Sequence, residues 1–431
     1  MIVRVLAHWL VPIAVPAIRG GWIDVDADCG RIVGLGAPGS APLPGPQRTL
    51  DLGRAVVMPG LVNAHTHLEL SHLAAAAPPA TDFVSWVQTM LTSRFSHPAP
   101  ADVVQAAIQA AIEAMQRSGT AGVGDIGNTD ASVLPLMASF LAGIHFREAL
   151  GLRASRAARV LDETRAAVRA TRATLAGSPR LAAAMAPHAP YSTSADLLRG
   201  LAAGEGAAGR VSSVHLAESR EELLFLQHGV GPLRDLAEQR GAWDGSWVVP
   251  GVRPLDYLEG IGALHEDLLV VHGTQLEPAE LRRLAASGAT LVLCARSNRW
   301  VGAGVPPVTD AFAAGGRVAI GTDSLASVED LNLFAELACL RSLAPAVPAT
   351  ALLRAATLGG AQALGCPSLG MLAPGATSRA VVRYPPAGVA DVEEWLVGEA
   401  ADTADLRWLD QLVTAAASAP FERTAAPTRH A

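Results

Sequence analysis

The sequence predicts an α/β protein, a (β/α)8 barrel of the TIM type with a small β-sandwich domain built from both termini. Three observations predict it. Between residues 58 and 367, eight short apolar runs alternate with Ala/Leu/Arg-rich segments of helical character. Nearly every run ends on a histidine, a carboxylate or a serine. Outside that span, residues 1–57 and 368–431 read as the two parts of a β domain, short strands broken by turns. An open doubly wound sheet is the competing architecture. It is disfavoured because no Gly-rich phosphate loop follows the first strand and because the strand ends are polar.

In chain order, residues 1–57 carry turn signals at Gly20-Gly21, at Asp28-Cys29-Gly30 and in the Pro/Gly-rich stretch from Pro38 to Pro46. Arg4 followed by Leu6 to Ile18 loosely resembles a signal peptide, but Pro12 and Pro16 interrupt it, and a cytoplasmic protein is expected. The run from Met58 to Ala64 then leads into His65-Thr66-His67. Side chains alternate along a strand, so positions i and i+2 point the same way. Two imidazoles aimed at one point can hold a metal ion, or simply cap the sheet. Later strands end at Asp125, Glu148, His188, His215 and His272, near Ser297 (after Thr290 to Leu293), and at Asp323. Between them, Asp102–Gln116, Leu161–Leu175, Pro278–Ala286 and Leu331–Leu340 read as helices, and Arg379–Tyr384 returns to strand.

The 431 residues are half hydrophobic and only 17% charged, which suits one large core wrapped by helices. A net charge of −7 with no basic run argues against nucleic acid and anionic membranes as partners. Cys29, Cys294, Cys339 and Cys366 have neither zinc-finger nor redox-pair spacing. All 33 basic side chains are arginine. Schiff-base chemistry, lysine general bases, P-loop lysines and lysine-carbamate metal bridges are therefore excluded.

In a barrel the active site lies at the C-terminal ends of the strands. There the sequence places His65, His67, His188, His215, Glu218, His272, Ser297, Asn298 and Asp323. Each histidine alone reads as a satisfied core residue; several at strand ends point to one centre. Three nitrogens and a carboxylate suit zinc or iron(II) with room for a water. Asp323 would bind the metal and take a proton from that water. Glu218, three residues after His215, would donate a proton, or else stabilise a helix start.

These segments resemble the metal-dependent amidohydrolases of the cytosine deaminase, chlorohydrolase and nucleoside deaminase branch. The match runs through His65-Thr66-His67, Pro187-His188-Ala189-Pro190-Tyr191, His215-Leu216-Ala217-Glu218-Ser219, Val271-His272-Gly273, Ser297-Asn298 and Gly321-Thr322-Asp323-Ser324. It implies one divalent metal, Zn2+ ahead of Fe2+, on His65, His67, His215 and Asp323. It further implies that His272 orients the hydroxide, that Glu218 protonates a ring nitrogen, and that Ser297, Asn298 and Ser324 lie on the substrate side. Ser378-Arg379 departs from the family's usual Ala-Asp pair, affecting only the small domain. The run Leu68-Glu69-Leu70-Ser71 is similar to that of aminodeoxyfutalosine deaminases, which act on an adenine nucleoside in menaquinone synthesis. On that likeness Glu69 would hold ribose hydroxyls with His188 beside the ribose, although both also read as loop residues. Arg147, at the end of the third strand, would meet the substrate's carboxylate, or form an ion pair with acidic neighbours. Trp86 would wall the pocket, or be a buried helix tryptophan. The alternatives are a methylthioadenosine/S-adenosylhomocysteine deaminase, a guanine deaminase, a triazine chlorohydrolase-like enzyme, or a non-catalytic barrel scaffold. The expected partner is a small-molecule substrate, with a homodimer as the assembly considered.

Overall fold

The computed structural model describes residues 1–40, 48–74, 76–96, 98–207, 209–245 and 247–419. The chain divides into two compact units. The larger comprises Gly60–Met371 and Val389–Ala404, the smaller Met1–Pro59, Leu372–Gly388 and Asp405–Ala431.

The larger unit is built on eight parallel strands: β1 (Leu61–Thr66), β2 (Thr120–Gly127), β3 (Ala142–Ala149), β4 (Leu181–Pro187), β5 (Ser212–Leu216), β6 (Leu268–His272), β7 (Thr290–Leu293) and β8 (Arg317–Ile320). Their residues are almost wholly buried, as strands covered on both faces must be. The ladders form two four-stranded sheets, ordered β4-β3-β2-β1 and β5-β6-β7-β8, where one eight-stranded ladder was expected. Side chains explain both breaks, because they occupy the backbone groups a ladder would use. Beside β4, Arg172 Nε donates to the Ala183 carbonyl at 2.8 Å and Ser212 Oγ to that of Met185 at 2.9 Å. The Met185 N–H donates to the Glu205 carboxylate at 3.3 Å. Beside β1, the Asn63 amide bonds both the N–H (3.1 Å) and the hydroxyl (2.8 Å) of Thr322. Backbone bonds resume at the C-terminal end of each break. The His215 N–H donates to His188 O at 2.9 Å, and those of Thr322 and Asp323 to His65 O at 3.2 and 3.1 Å.

Helices cover the strands. Ala101–Arg117 buries Ile108, Ala111, Ile112 and Met115, one stripe at helical spacing. Ala157–Leu175, Pro278–Ser287 and Leu333–Leu343 occupy the other expected positions. The last begins two residues later than its apolar pattern suggests because Asn332 caps it, accepting from Phe334 N–H. Further helices fall between the expected ones. One, Phe83–Ser96, follows β1; Arg220–His228, Pro232–Gln239 and Pro254–Gly260 lie between β5 and β6.

The smaller unit holds two sheets. Arg31–Gly36, Trp22–Asp26, Ile2–Leu6 and Arg48–Asp51 form one; Arg407–Trp408, Ala380–Arg383, Val56–Pro59, Trp9–Leu10 and Ile18–Arg19 form the other. Val3, Val5, Ile23 and Val25 from the first share a core with Val57 and Val382 from the second. Both ends of the chain thus enter one hydrophobic cluster. Most of the turn expected between Pro38 and Pro46 lies outside the described residues. All four cysteines are unpaired. Among the described residues, no helix is long and apolar enough to cross a membrane.

Candidate active site

The polar ends of β1, β5, β6 and β8 converge. His65 comes from β1, His215 from β5 and His272 from β6, with His67 one residue past β1 and Asp323 three residues past β8. Ring centroids of His65 lie 4.9 Å from those of both His67 and His215, and 5.8 Å from that of His272. The approach of β8 to β1 needs a glycine: a Cβ on Gly321 would sit 2.8 Å from the His65 Cβ and carbonyl oxygen. Ala217, His272 and Asp323 all adopt left-handed backbone, with φ of +50°, +72° and +59°. Such conformations cost about 1–3 kcal/mol each and persist where the surroundings over-determine them. Here they turn side chains toward one point.

The donor set fits a divalent metal ion. Both ring nitrogens of His65 are buried without a hydrogen-bond partner. His67 Nε2 and His215 Nε2 face each other at 3.3 Å. His215 Nδ1 donates to the His188 carbonyl at 2.8 Å, which leaves its Nε2 lone pair free. Asp323 Oδ1 lies 3.4 Å from His67 Nε2 and 3.6 Å from His65 Nε2. Its other oxygen accepts from Ser297 Oγ at 2.6 Å and Ser327 Oγ at 2.8 Å. Imidazole lone pairs and a carboxylate oxygen crowded together without protons between them are satisfied by a cation at their centre.

The profile of the Amidohydrolase family matches residues 56–392 of this chain. The chain belongs to the amidohydrolase family. Among similar proteins are a 5-methylthioadenosine/S-adenosylhomocysteine deaminase of Nitratidesulfovibrio vulgaris, 33% identical over 77% of this chain and 72% of that one. An aminodeoxyfutalosine deaminase of Deinococcus radiodurans is also 33% identical, over 74% of this chain and 76% of its own. In three dimensions the chain is similar to an adenosine deaminase from Xanthomonas campestris with bound zinc (TM-score 0.77, 26% identity, 95% and 91% of the two chains). Helicobacter pylori aminofutalosine deaminase in complex with methylthio-coformycin shares the fold (TM-score 0.79, 24% identity, 92% and 95%). Amidohydrolases of this kind have barrels of the TIM type, and the parallel α/β architecture here agrees with that class.

In this amidohydrolase two neighbouring carboxyls are driven in opposite directions. Burial, reinforced by Asp323 and Glu222, pushes Glu218 well above the usual carboxylate range. Burial acts the same way on Asp323, but the His65 contact and the His67, His65 and His272 rings outweigh it and hold Asp323 well below that range. Such a split separates an acid from a base. Burial lowers His272 to about 3, so the ring is neutral. Asn298 Nδ2 meets its Nδ1 at 3.0 Å, and the direction of that bond puts the ring proton on Nε2, 3.5 Å from Glu218 Oε1.

A cavity of about 490 Å³ opens beside these groups. His67, His188, His215, Glu218, His272, Asp323 and Ser324 lie on its wall. Trp86 is at once buried and cavity-lining, its indole N–H donating to Ala326 O at 3.2 Å. Ser297 and Asn298 stand behind the wall, bonded to Asp323 and His272. Four residues expected on the substrate side are off the wall: Ser297 and Asn298, which support Asp323 and His272 from behind it, and Arg147 and Glu69. Arg147 does not reach the cavity. On β3 it shares a face with His145, and its guanidinium meets Asp130 at 3.3 Å. Glu69 also lies outside the wall: its carboxylate is engaged by Arg94 (2.6 Å) and by the N–H and hydroxyl of Thr129 (3.0 and 2.8 Å). The residues that do line the cavity at these places are Glu148, Asn128 and Arg94. Strand parity was the signal that could have found Glu148, since it is one residue from Arg147 and so on the opposite face.

Proposed function

We propose that this amidohydrolase is a metal-dependent hydrolytic deaminase of an adenine nucleoside, working from a barrel closed through the C-terminal backbone bonds of its two sheets. The observation that carries the reading is the convergence of Glu218 and Asp323 on one cavity wall with His67, His215 and His272, where burial pushes the Glu218 carboxyl up and the neighbouring histidines hold Asp323 down. His65, His67, His215 and Asp323 would hold the ion, with zinc our choice for a set of three imidazoles and one carboxylate. When bound, it supplies the Lewis acidity that makes a water nucleophilic at neutral pH. Asp323 is placed to take that water's proton. Glu218 delivers its own proton to the ring nitrogen beside the amine-bearing carbon, which lets that carbon accept the nucleophile. The His272 Nε2–H points at the same region and orients the incoming oxygen. Collapse breaks the C–N bond: the proton held by Asp323 goes to the leaving amine, which departs as ammonia, and the proton of the added hydroxyl returns to Glu218, leaving a ring carbonyl beside the protonated ring nitrogen.

The outer cavity wall favours a nucleoside extended beyond its ribose. Phe83, Trp86, Met90, Leu233 and Leu236 offer an apolar surface, with Arg94 and Arg240 on the same lining. An aromatic group carrying a carboxylate suits that combination, and this supports aminodeoxyfutalosine, with Arg94 or Arg240 in the place Arg147 was expected to fill. The apolar wall also suits thioether nucleosides, the substrates named for several relatives. The setting we assign is the cytoplasm, with a small molecule as the partner. Loss of the adenine absorbance should be measured for aminodeoxyfutalosine, adenosine, methylthioadenosine and S-adenosylhomocysteine. An Arg–carboxylate contact worth roughly 1.5–3 kcal/mol predicts a ten- to hundred-fold preference for aminodeoxyfutalosine. Equal or faster turnover of the thioether nucleosides would move the assignment to them; no turnover of any of the four would reject the deaminase.

A further inference from the structure

Glu218 stands on a stretch of backbone that has to be held in place. It follows Ala217, whose left-handed φ of +50° strains a residue that carries a Cβ. On its carbonyl side this turn is tied to the end of β6. The Gly273 N–H donates to Leu216 O at 3.1 Å, and that of Gln275 to Ala217 O at 2.8 Å. On its amide side the turn is met by Glu222, whose Oε2 accepts from the Glu218 N–H at 2.8 Å.

Glu222 lies in the first turn of Arg220–His228 and is completely buried, where a carboxyl is seldom placed without a task. It is absent from the cavity wall, so that task is not contact with the substrate. Ser219 caps the helix, its hydroxyl accepting from the Glu222 N–H at 3.3 Å. In the usual reciprocal cap, the side chain at Glu222 would return to the Ser219 N–H. Here it meets the N–H of Glu218 instead, one residue further back. Helix capping alone does not call for that displacement, whereas holding Glu218 does. Burial pushes the Glu222 carboxyl up to about 8, against the opposing effect of the Glu218 and Ala217 amides. Around neutrality it therefore serves mainly as an acceptor and little as a charge.

We infer that Glu222 is a positioning residue for the deamination: by accepting the Glu218 N–H it fixes the turn that aims the Glu218 carboxyl, and so sets how well the proton is delivered. The inference rests on the reading of Glu218 as proton donor and adds to it the residue that holds the donor in line. Proton transfer demands hydrogen-bond reach, and a misplacement on the order of 1 Å costs about a hundredfold in rate.

The test uses the full-length, metal-loaded enzyme and whichever of aminodeoxyfutalosine, adenosine, methylthioadenosine and S-adenosylhomocysteine it turns over fastest. Glu222→Met removes the acceptor and keeps the side-chain length, whereas Glu222→Gln keeps an acceptor at the same reach. Glu222→Met should lose about ten- to a hundred-fold in kcat, with KM and metal content at wild-type levels. Glu222→Gln should stay within a few-fold of wild type. Adding Glu222→Met to Glu218→Gln should slow the enzyme by no more than about twofold further, because a residue acting only through Glu218 has nothing left to aim. A purely structural Glu222 would add its full loss in that double variant. Wild-type kcat in Glu222→Met, full additivity in the double variant, or loss of metal from Glu222→Met would overturn the inference while leaving the deaminase standing. If Glu222→Met lacks the wild-type thermal transition, Glu222→Gln decides alone: a loss in kcat above about tenfold overturns the inference, and a smaller one upholds it. A wild type that deaminates none of the four nucleosides would overturn both.

Discussion

Glu218 and Asp323 lie on one wall with their carboxyls pushed in opposite directions, so exchanging the Glu218 carboxyl for an amide should separate chemistry from binding. Glu218→Gln is expected to keep its fold and its metal and to lose about 10²- to 10⁴-fold in kcat, the usual contribution of a positioned proton donor. Steady-state kinetics with elemental analysis on the same sample checks it; turnover within a few-fold of wild type would make Glu218 a structural residue. At this scale, legibility followed strand ends. His65, His67, His215, His272 and Asp323 stood out because each closes an apolar run, and the structure brings them together. Arg147 and Glu148 close one run as a pair, and the period-two alternation puts them on opposite faces, of which Glu148 has the one that lines the cavity. Glu69 was hidden differently. Its partners Arg94 and Thr129 are 25 and 60 residues away in sequence, and no local pattern announces that they have taken its oxygens.

Among the elements, β2 and β3 carry a second polar pair that serves the architecture. Asp125 and His145 are register partners, with His145 Nδ1 2.8 Å from Asp125 Oδ2, and Asp125 also accepts from the Leu68 N–H just past His67. Burial alone would lower His145, but Asp125 and Asp130 outweigh it and raise the imidazole to about 9. The folded value exceeds the unfolded one, so this contribution is complete below about pH 6.5 and is lost as pH rises through about 9. The shift corresponds to a contribution on the order of 3 kcal/mol. Urea unfolding of wild type and His145→Gln should therefore differ most near pH 6 and converge above pH 10; parallel curves across that range would discard the assignment. Elements with a strong period were legible, as with Ala101–Arg117 and its stripe of Ile108, Ala111, Ile112 and Met115. Pro232–Gln239 was passed over, although Leu233, Leu236 and Ala237 recur at helical spacing behind a helix-starting proline, and it contributes Leu233 and Leu236 to the cavity.

Across the larger unit, the candidate ligands belong to both sheets: His65 and the His67 that follows β1 to one, His215 and the Asp323 that follows β8 to the other. An ion on these four residues would link the two ladders where side chains, instead of strand pairing, fill the breaks. Protein purified without added metal should contain about one equivalent of a divalent ion by elemental analysis. Stripping it with a chelator should lower Tm, since an ion at a hundredfold excess over its Kd stabilises the folded state by about 3 kcal/mol. Two tightly held ions, or an unchanged Tm, would contradict the single-ion site. The alternation of strand and helix was readable from the sequence, whereas the two breaks were not. They depend on where Arg172, Ser212 and Asn63 send their polar atoms, a property of the folded surroundings. The division of the ladder has a consequence for ancestry and for engineering. Neither four-stranded half contains a complete ligand set, so a gene fragment encoding one half would yield a scaffold without an activity to select. Competence here is a property of the junction, and any shuffling of half-barrels among relatives would have to preserve the Asn63–Thr322 and His65 contacts between β1 and the end of β8 before it could preserve chemistry.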